Sequence, residues 1–196
     1  MAQGRVADYA RCAAWAAESG ADAVEVHLAA PDPFAEHARM IYENVPLAAQ
    51  ILHRVRTTIA APVLAKLGAF RAPRLLHETA TRLAPWTNGF VLVNSISRRV
   101  LDDEGDPLFE GPGRERADVV GAQTFEVASR QVVEMLAWRK AGAWDRAVLA
   151  VGGISTAERA HDLLREGADA ALVATAALFD PLLAVRFRQT RATAVA

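Results

Sequence analysis

The chain has 196 residues, of which 52% are hydrophobic and 23% charged, with a net charge of −1. That length suits one well-buried domain and is short for two, and the balanced charge gives no reason to expect a nucleic-acid or membrane-surface partner. Cys12 is the only cysteine, which excludes an internal disulfide or a cysteine metal cluster and fits a reducing, cytoplasmic setting. No apolar run reaches about 18 residues and the first residues lack the apolar region of a signal peptide.

Helical and strand-like segments alternate along the chain. Residues 6–19 read as a helix closed by Gly20, with Cys12 a small core residue on its alanine face. Residues 23–28 form a short apolar strand that puts Glu25 and His27 on one face. A helix over 41–58 follows, then a strand at 62–67, a helix at 73–83 and a strand at 89–94. The segment 97–120 reads as a long polar loop, and Gly105, Gly111, Pro112 and Gly113 predict mobility there. A helix at 124–141, a strand at 147–151, a helix at 156–166, a strand at 170–175 and one terminal helix complete the pattern. Strands alternating with helices predict an α/β fold with a parallel sheet and right-handed crossovers. Gly20-Ala21-Asp22-Ala23 returns as Gly167-Ala168-Asp169-Ala170, which predicts the same helix-to-strand turn used twice.

Two turns carry the chemistry. Val151-Gly152-Gly153-Ile154-Ser155-Thr156 and Leu172-Val173-Ala174-Thr175-Ala176-Ala177 each end an apolar strand and open a helix. Adjacent strand-to-helix turns of a (β/α) barrel hold a phosphate in this way, because glycine admits close backbone approach and free N–H groups meet the anion. The expected fold is a partial (β/α)8 TIM barrel. About five parallel strands are present, where a closed barrel has about 250 residues and eight strands. The N-terminal βα units are expected to be missing, the chain being either a fragment or one that another polypeptide completes. The edge strands near Val24 and Leu172 are apolar, so association with a second copy or with a partner supplying the missing strands is expected.

The order and spacing of several segments resemble the dihydroorotate dehydrogenase family of FMN-binding barrels, from about its fourth strand onward. The segments are Val26-His27-Leu28-Ala29-Ala30-Pro31-Asp32, Val63-Leu64-Ala65-Lys66-Leu67, Val93-Asn94-Ser95-Ile96, Gly121-Ala122-Gln123 and the two turns. The resemblance implies FMN as cofactor. Its phosphate would be held at Gly152, Gly153, Ala174 and Thr175, with added backbone contact at Gly121. Lys66 would meet the flavin's pyrimidine edge, and Asn94 and Ser95 a pyrimidine-like substrate. A lysine in so apolar a strand could equally pair with Glu25 on the neighbouring strand, and a strand-end asparagine is common in turns.

The first segment departs from the family. Where the family carries a Cys or Ser base, this chain has Ala30, which accepts no proton. His27 and Asp32 replace substrate-binding asparagines. His27 could serve as the base or sit as a satisfied histidine beside Glu25, and Asp32 could bind substrate or act as a turn or cap residue. Arg98 or Arg99 could meet a substrate carboxylate or be solvated.

His37, His53, His77 and His161 have no metal-ligand spacing and read as surface residues, while Trp86, Trp138 and Trp144 read as packing near helix ends. Three functions fit: an FMN-dependent oxidoreductase weakened by Ala30, a barrel lyase or isomerase gripping a phosphorylated substrate, and a non-catalytic partial barrel acting as a subunit.

Overall fold

Five short runs of β-branched and small apolar residues build one parallel sheet: β1 (Val24–His27), β2 (Val63–Lys66), β3 (Gly89–Leu92), β6 (Ala147–Val151) and β7 (Ala170–Leu172). A computed structural model describes residues 5–36, 39–109, 111 and 116–193, so His37, Pro112, Gly113 and Arg114 lie outside the described residues. The strand order is β1-β2-β3-β6-β7, every pairing parallel. The order never reverses. A doubly wound sheet reverses at a switch point, so this one is singly wound.

The helices are α1 (Val6–Glu18), α2 (Val45–Thr58), α3 (Pro73–Leu83), α4 (Phe125–Lys140), α5 (Ala157–Glu166), α6 (Thr175–Phe179) and α7 (Leu183–Thr193). α1 packs on α2, α2 on α3, α3 on α4, α4 on α5 and α5 on α7. Such a row follows from crossovers of one hand, which set every helix on the same face. The strand residues turned to that face, Val26, Val63, Ala65, Phe90, Leu92, Val148 and Ala150, are almost fully buried. They meet Leu52, Val55, Leu76, Leu83, Val132 and Met135 in one apolar core. The pairing register aligns Glu25 with Leu64 and His27 with Lys66 and Val91 on the opposite face, where Glu25 and His27 are exposed.

The repeated glycine turn is present at both places. The Gly20 and Gly167 N–H groups donate to Ala17 and Leu164, and the next N–H groups reach back to Ala16 and Leu163. Both glycines have positive φ, +86° and +113°, where a Cβ is strained. The aspartates differ: Asp22 is exposed, whereas Asp169 accepts from the Val148 N–H at 2.7 Å and from Arg139 Nη1 at 2.5 Å.

Three segments differ from the sequence reading. The polar segment 97–120 holds an antiparallel pair, β4 (Ile96–Arg99) with β5 (Arg116–Val119). Most of its side chains are exposed, so no hydrophobic alternation marks it in the sequence. Arg116 stiffens it by donating to Ser97 Oγ at 3.2 Å and to the Ser97 carbonyl at 2.5 Å. The helix expected over 41–58 is broken at Asn44, whose side chain caps α2 by accepting from the Leu47 N–H. The terminal helix is two helices, because Pro181 cannot donate and Asp180 accepts from the Leu182 N–H at 3.1 Å to turn the chain.

Of the histidines read as surface residues, His53 is exposed and His77 and His161 are half-buried, and each also meets an aromatic ring. His53 meets Trp86 edge-on, His77 meets Trp138, and His161 stacks on Phe187 at 4.3 Å. Among the described residues, no helix is long and apolar enough to cross a membrane.

Candidate functional site

At the C-terminal end of the sheet, three turns and two strand ends enclose a cavity of about 720 Å³. That volume lies within the range of small-molecule sites, roughly 300–1,000 Å³. The turn after β6 forms one wall. Gly152 and Gly153 have φ of +114° and +68°, and the chain there presses on the start of α4. A Cβ on Gly152 would lie 2.8 Å from Ala128 Cβ, and one on Gly153 would lie 2.7 Å from Phe125 Cα while striking the Phe125 nitrogen. Only glycine fits at either place.

Thr156 then caps α5, its hydroxyl accepting from the Arg159 N–H at 3.3 Å. Among the described residues, the N–H groups of Gly153, Ile154 and Ser155 take no protein acceptor, and all three residues line the cavity. The turn after β7 supplies Ala174 and Thr175. Gly121, after β5, packs against it, with its Cβ position 3.5 Å from Thr175 Cγ2.

Lys66 and Asn94 close the far side. Lys66 Nζ pairs with Glu25 Oε1 at 3.1 Å, so the cross-strand partner expected for an apolar-strand lysine is present, and Lys66 still lines the cavity. Asn94 is anchored by its N–H to the Leu67 carbonyl at 3.0 Å. Its side-chain amide is 3.4 Å from Ser95 Oγ. A single cavity thus brings together Lys66, Asn94, Gly121, Gly152, Gly153, Ala174 and Thr175, drawn from five separate segments.

Three other nominated residues stand outside that lining. His27 is the register partner of Lys66 on the edge strand β1. Burial and the Lys66 charge push its pKa below the ordinary imidazole value, Glu25 opposing, so the ring is neutral near pH 7. Ser95 is half-buried, next to the Asn94 amide. Asp32 is committed within its own loop. Its Oδ1 accepts from the Phe34 N–H at 3.0 Å, while Oδ2 accepts from Arg39 at 2.6 and 3.0 Å and from Asn44 at 2.9 Å. The carboxylate is wholly covered, so the substrate-binding role gives way to the turn role. Burial alone would raise its pKa, but the bonds from Phe34, Asn44 and Arg39 outweigh it and hold the group below the usual range. Ala30 lends its carbonyl to the Ile41 N–H at 2.9 Å and has no side chain that accepts a proton.

Other rim residues gave no sequence signal. Gln131 of α4 donates to the Phe70 carbonyl and accepts from the Phe70 N–H at 3.1 Å, fixing the loop after β2. Tyr42 donates to the Ala69 carbonyl at 2.9 Å, and its ring lies 2.6 Å from where a Gly68 Cβ would stand. Their partners lie 61 and 27 positions away, beyond any local pattern. Burial, with the Glu43 and Asp118 charges and against that of Arg71, raises the Tyr42 phenol.

The fold and the cavity define an α/β protein with a five-stranded parallel sheet and a cleft of mixed polar and apolar lining at the strand C-termini. No protein-family model matches the chain, and no curated protein matches it.

Proposed function

We propose that the chain is an FMN-dependent oxidoreductase domain built on a partial (β/α)8 barrel and similar to dihydroorotate dehydrogenases, with turnover impaired by Ala30. The observation that carries this reading is the convergence of seven residues from five segments on one cavity. The singly wound sheet with its single row of helices supports the barrel-like part.

The residues fit the cofactor. Backbone N–H groups and the α5 N-terminus lie at one end of the cavity for a phosphate, and an ammonium lies at the other for a ring edge. Gly152, Gly153, Ala174 and Thr175 would hold the phosphate, Gly121 would back it, Lys66 would meet the pyrimidine edge, and Asn94 would orient a small cyclic substrate. A bound flavin supplies hydride acceptance. The neutral His27 ring, one strand from Lys66, is the group with the chemistry to take a proton at a ring nitrogen. It stands outside the cavity lining, so it would not make good the base that Ala30 lacks, and turnover would be slow. The edge strands β1 and β7 would meet a second copy or a partner chain.

The test is the absorption spectrum of the purified chain after FMN is added and the sample desalted. Retained visible flavin bands are the expected result. Folded protein that retains no flavin overturns the reading. Ala30 gives the lyase or isomerase reading its support, since no flavin-linked base stands there. Stabilisation by inorganic phosphate without flavin retention would select it.

A further inference from the structure

Two polar groups of the turn after β6 are committed to a single side chain that does not itself line the cavity. Arg159 Nη1 donates to the Gly153 carbonyl at 3.0 Å, to Ser155 Oγ at 2.9 Å and to the Ala122 carbonyl at 3.4 Å. Its guanidinium carbon sits 4.4 Å from the centre of the Phe125 ring. One half-buried cation in the first turn of α5 therefore ties together the loop after β5, the start of α4 and the turn after β6.

The arrangement has an electrostatic consequence. A carbonyl beside an anion repels it, and Arg159 engages the Gly153 carbonyl from the α5 side, which leaves that turn's N–H groups unopposed. Ser155 Oγ accepts from the guanidinium, so its own O–H must point elsewhere, and a hydroxyl polarised by a cation is a stronger donor. Ser155 lines the cavity. We infer that Arg159 is the positioning residue of the anion cradle and that the Ser155 hydroxyl donates to the bound phosphate. The inference rests on the phosphate-binding part of the proposed function, and nothing in it requires turnover.

A purely structural staple would affect every ligand alike, whereas a cradle residue affects only ligands that carry phosphate. The experiment measures dissociation constants of FMN and of riboflavin for the wild-type chain and for Arg159→Met, Arg159→Lys and Ser155→Ala, with thermal midpoints for each. Loss of a charge-assisted set of hydrogen bonds predicts FMN affinity roughly tenfold or more weaker in Arg159→Met, with riboflavin changed by less than about twofold. Ser155→Ala, which leaves the staple in place, should lose roughly three- to tenfold for FMN alone. Arg159→Lys keeps the charge and the fold but not the three-way fork, and should fall between wild type and Arg159→Met.

An unchanged ratio of FMN to riboflavin affinity in Arg159→Lys and Ser155→Ala, or parallel loss of both flavins, overturns the inference while leaving the phosphate site standing. A wild-type chain that binds FMN no tighter than riboflavin, or that binds neither flavin and is not stabilised by inorganic phosphate, removes the phosphate reading and the Arg159 role together.

Discussion

The loops after β1 and after β6 occupy the same kind of position, at the C-terminal ends of parallel strands, yet they are built in opposite ways. The first gathers its donors inward. Phe34, Arg39 and Asn44 all converge on the Asp32 carboxylate, and the Ala30 carbonyl is taken by Ile41. The second turns its acceptors away, toward Arg159, and leaves the N–H groups of Gly153, Ile154 and Ser155 without a protein acceptor among the described residues. A rim position alone does not make a binding loop. What matters is which polar groups are left unmatched after the loop has satisfied itself.

The largest effect that would break this contrast is at Gly153. Gly153→Ala places a methyl at positive φ against Phe125, at a cost of about 2–4 kcal/mol by chemical denaturation and with loss of FMN retention. Gly142→Ala is the control. Its φ is also positive, but nothing lies within 4 Å of the added atom, so about 1 kcal/mol is expected and flavin retention should not change. Equal losses at the two glycines would mean that the turn after β6 is not specially crowded.

The next effect is at Asp32. Asp32→Asn should lower stability by about 1–3 kcal/mol, because a covered acceptor for Arg39, Phe34 and Asn44 is weakened. The affinity for FMN should stay as it was, and a change in it would show that the two rims are not separate. The pH dependence follows from the sign of the shift. The folded carboxyl titrates below the ordinary value of 3.8, so its stabilisation is complete above that value and is lost as pH falls through the lower, folded one. Acid unfolding of Asp32→Asn should be flatter in that window.

Smaller still is Lys66→Met. The Glu25 pair is partly exposed, with side-chain accessibilities of 22% and 37%, so only about 0–1 kcal/mol of stability is expected to go. Flavin affinity should fall by more than stability does, because Lys66 lines the cavity. An effect on stability alone would make Lys66 a partner of Glu25 and nothing else.

The smallest effect is on His27. Its NMR titration midpoint should lie below the ordinary 6.5, and Lys66→Met should raise it, since the Lys66 charge is one cause of the lowering. Because the folded pKa is depressed, the unfolded chain binds the proton more readily, and stability decreases as pH falls from 6.5 through the folded value.

The glycine turns were legible because glycine at positive φ is a local requirement, so Gly20, Gly152, Gly153 and Gly167 declare themselves without partners. The pairing of Lys66 with Glu25 was legible as an alternative, since strand periodicity alone puts both on one face. Asp32 was not. A turn aspartate and a substrate-binding aspartate look the same until Arg39 and Asn44 are seen to close on it. Arg159 was missed for a similar reason. Its i,i+4 spacing from Ser155 could have flagged that pair, but the reach to Ala122 spans 37 positions.

The sequence by itself determined the α/β alternation, the five strands and their parallel sense, and the places where only glycine serves, because hydrophobic period and backbone sterics act over a few residues. Only the tertiary structure decided which polar groups found partners. It folded Asp32 into its own loop, paired Ser97 with Arg116 across an exposed hairpin, and turned the acceptors after β6 toward Arg159. Hydrogen bonds and charges are satisfied by whatever the fold brings near, and that neighbourhood is set by packing across tens of residues rather than by local order.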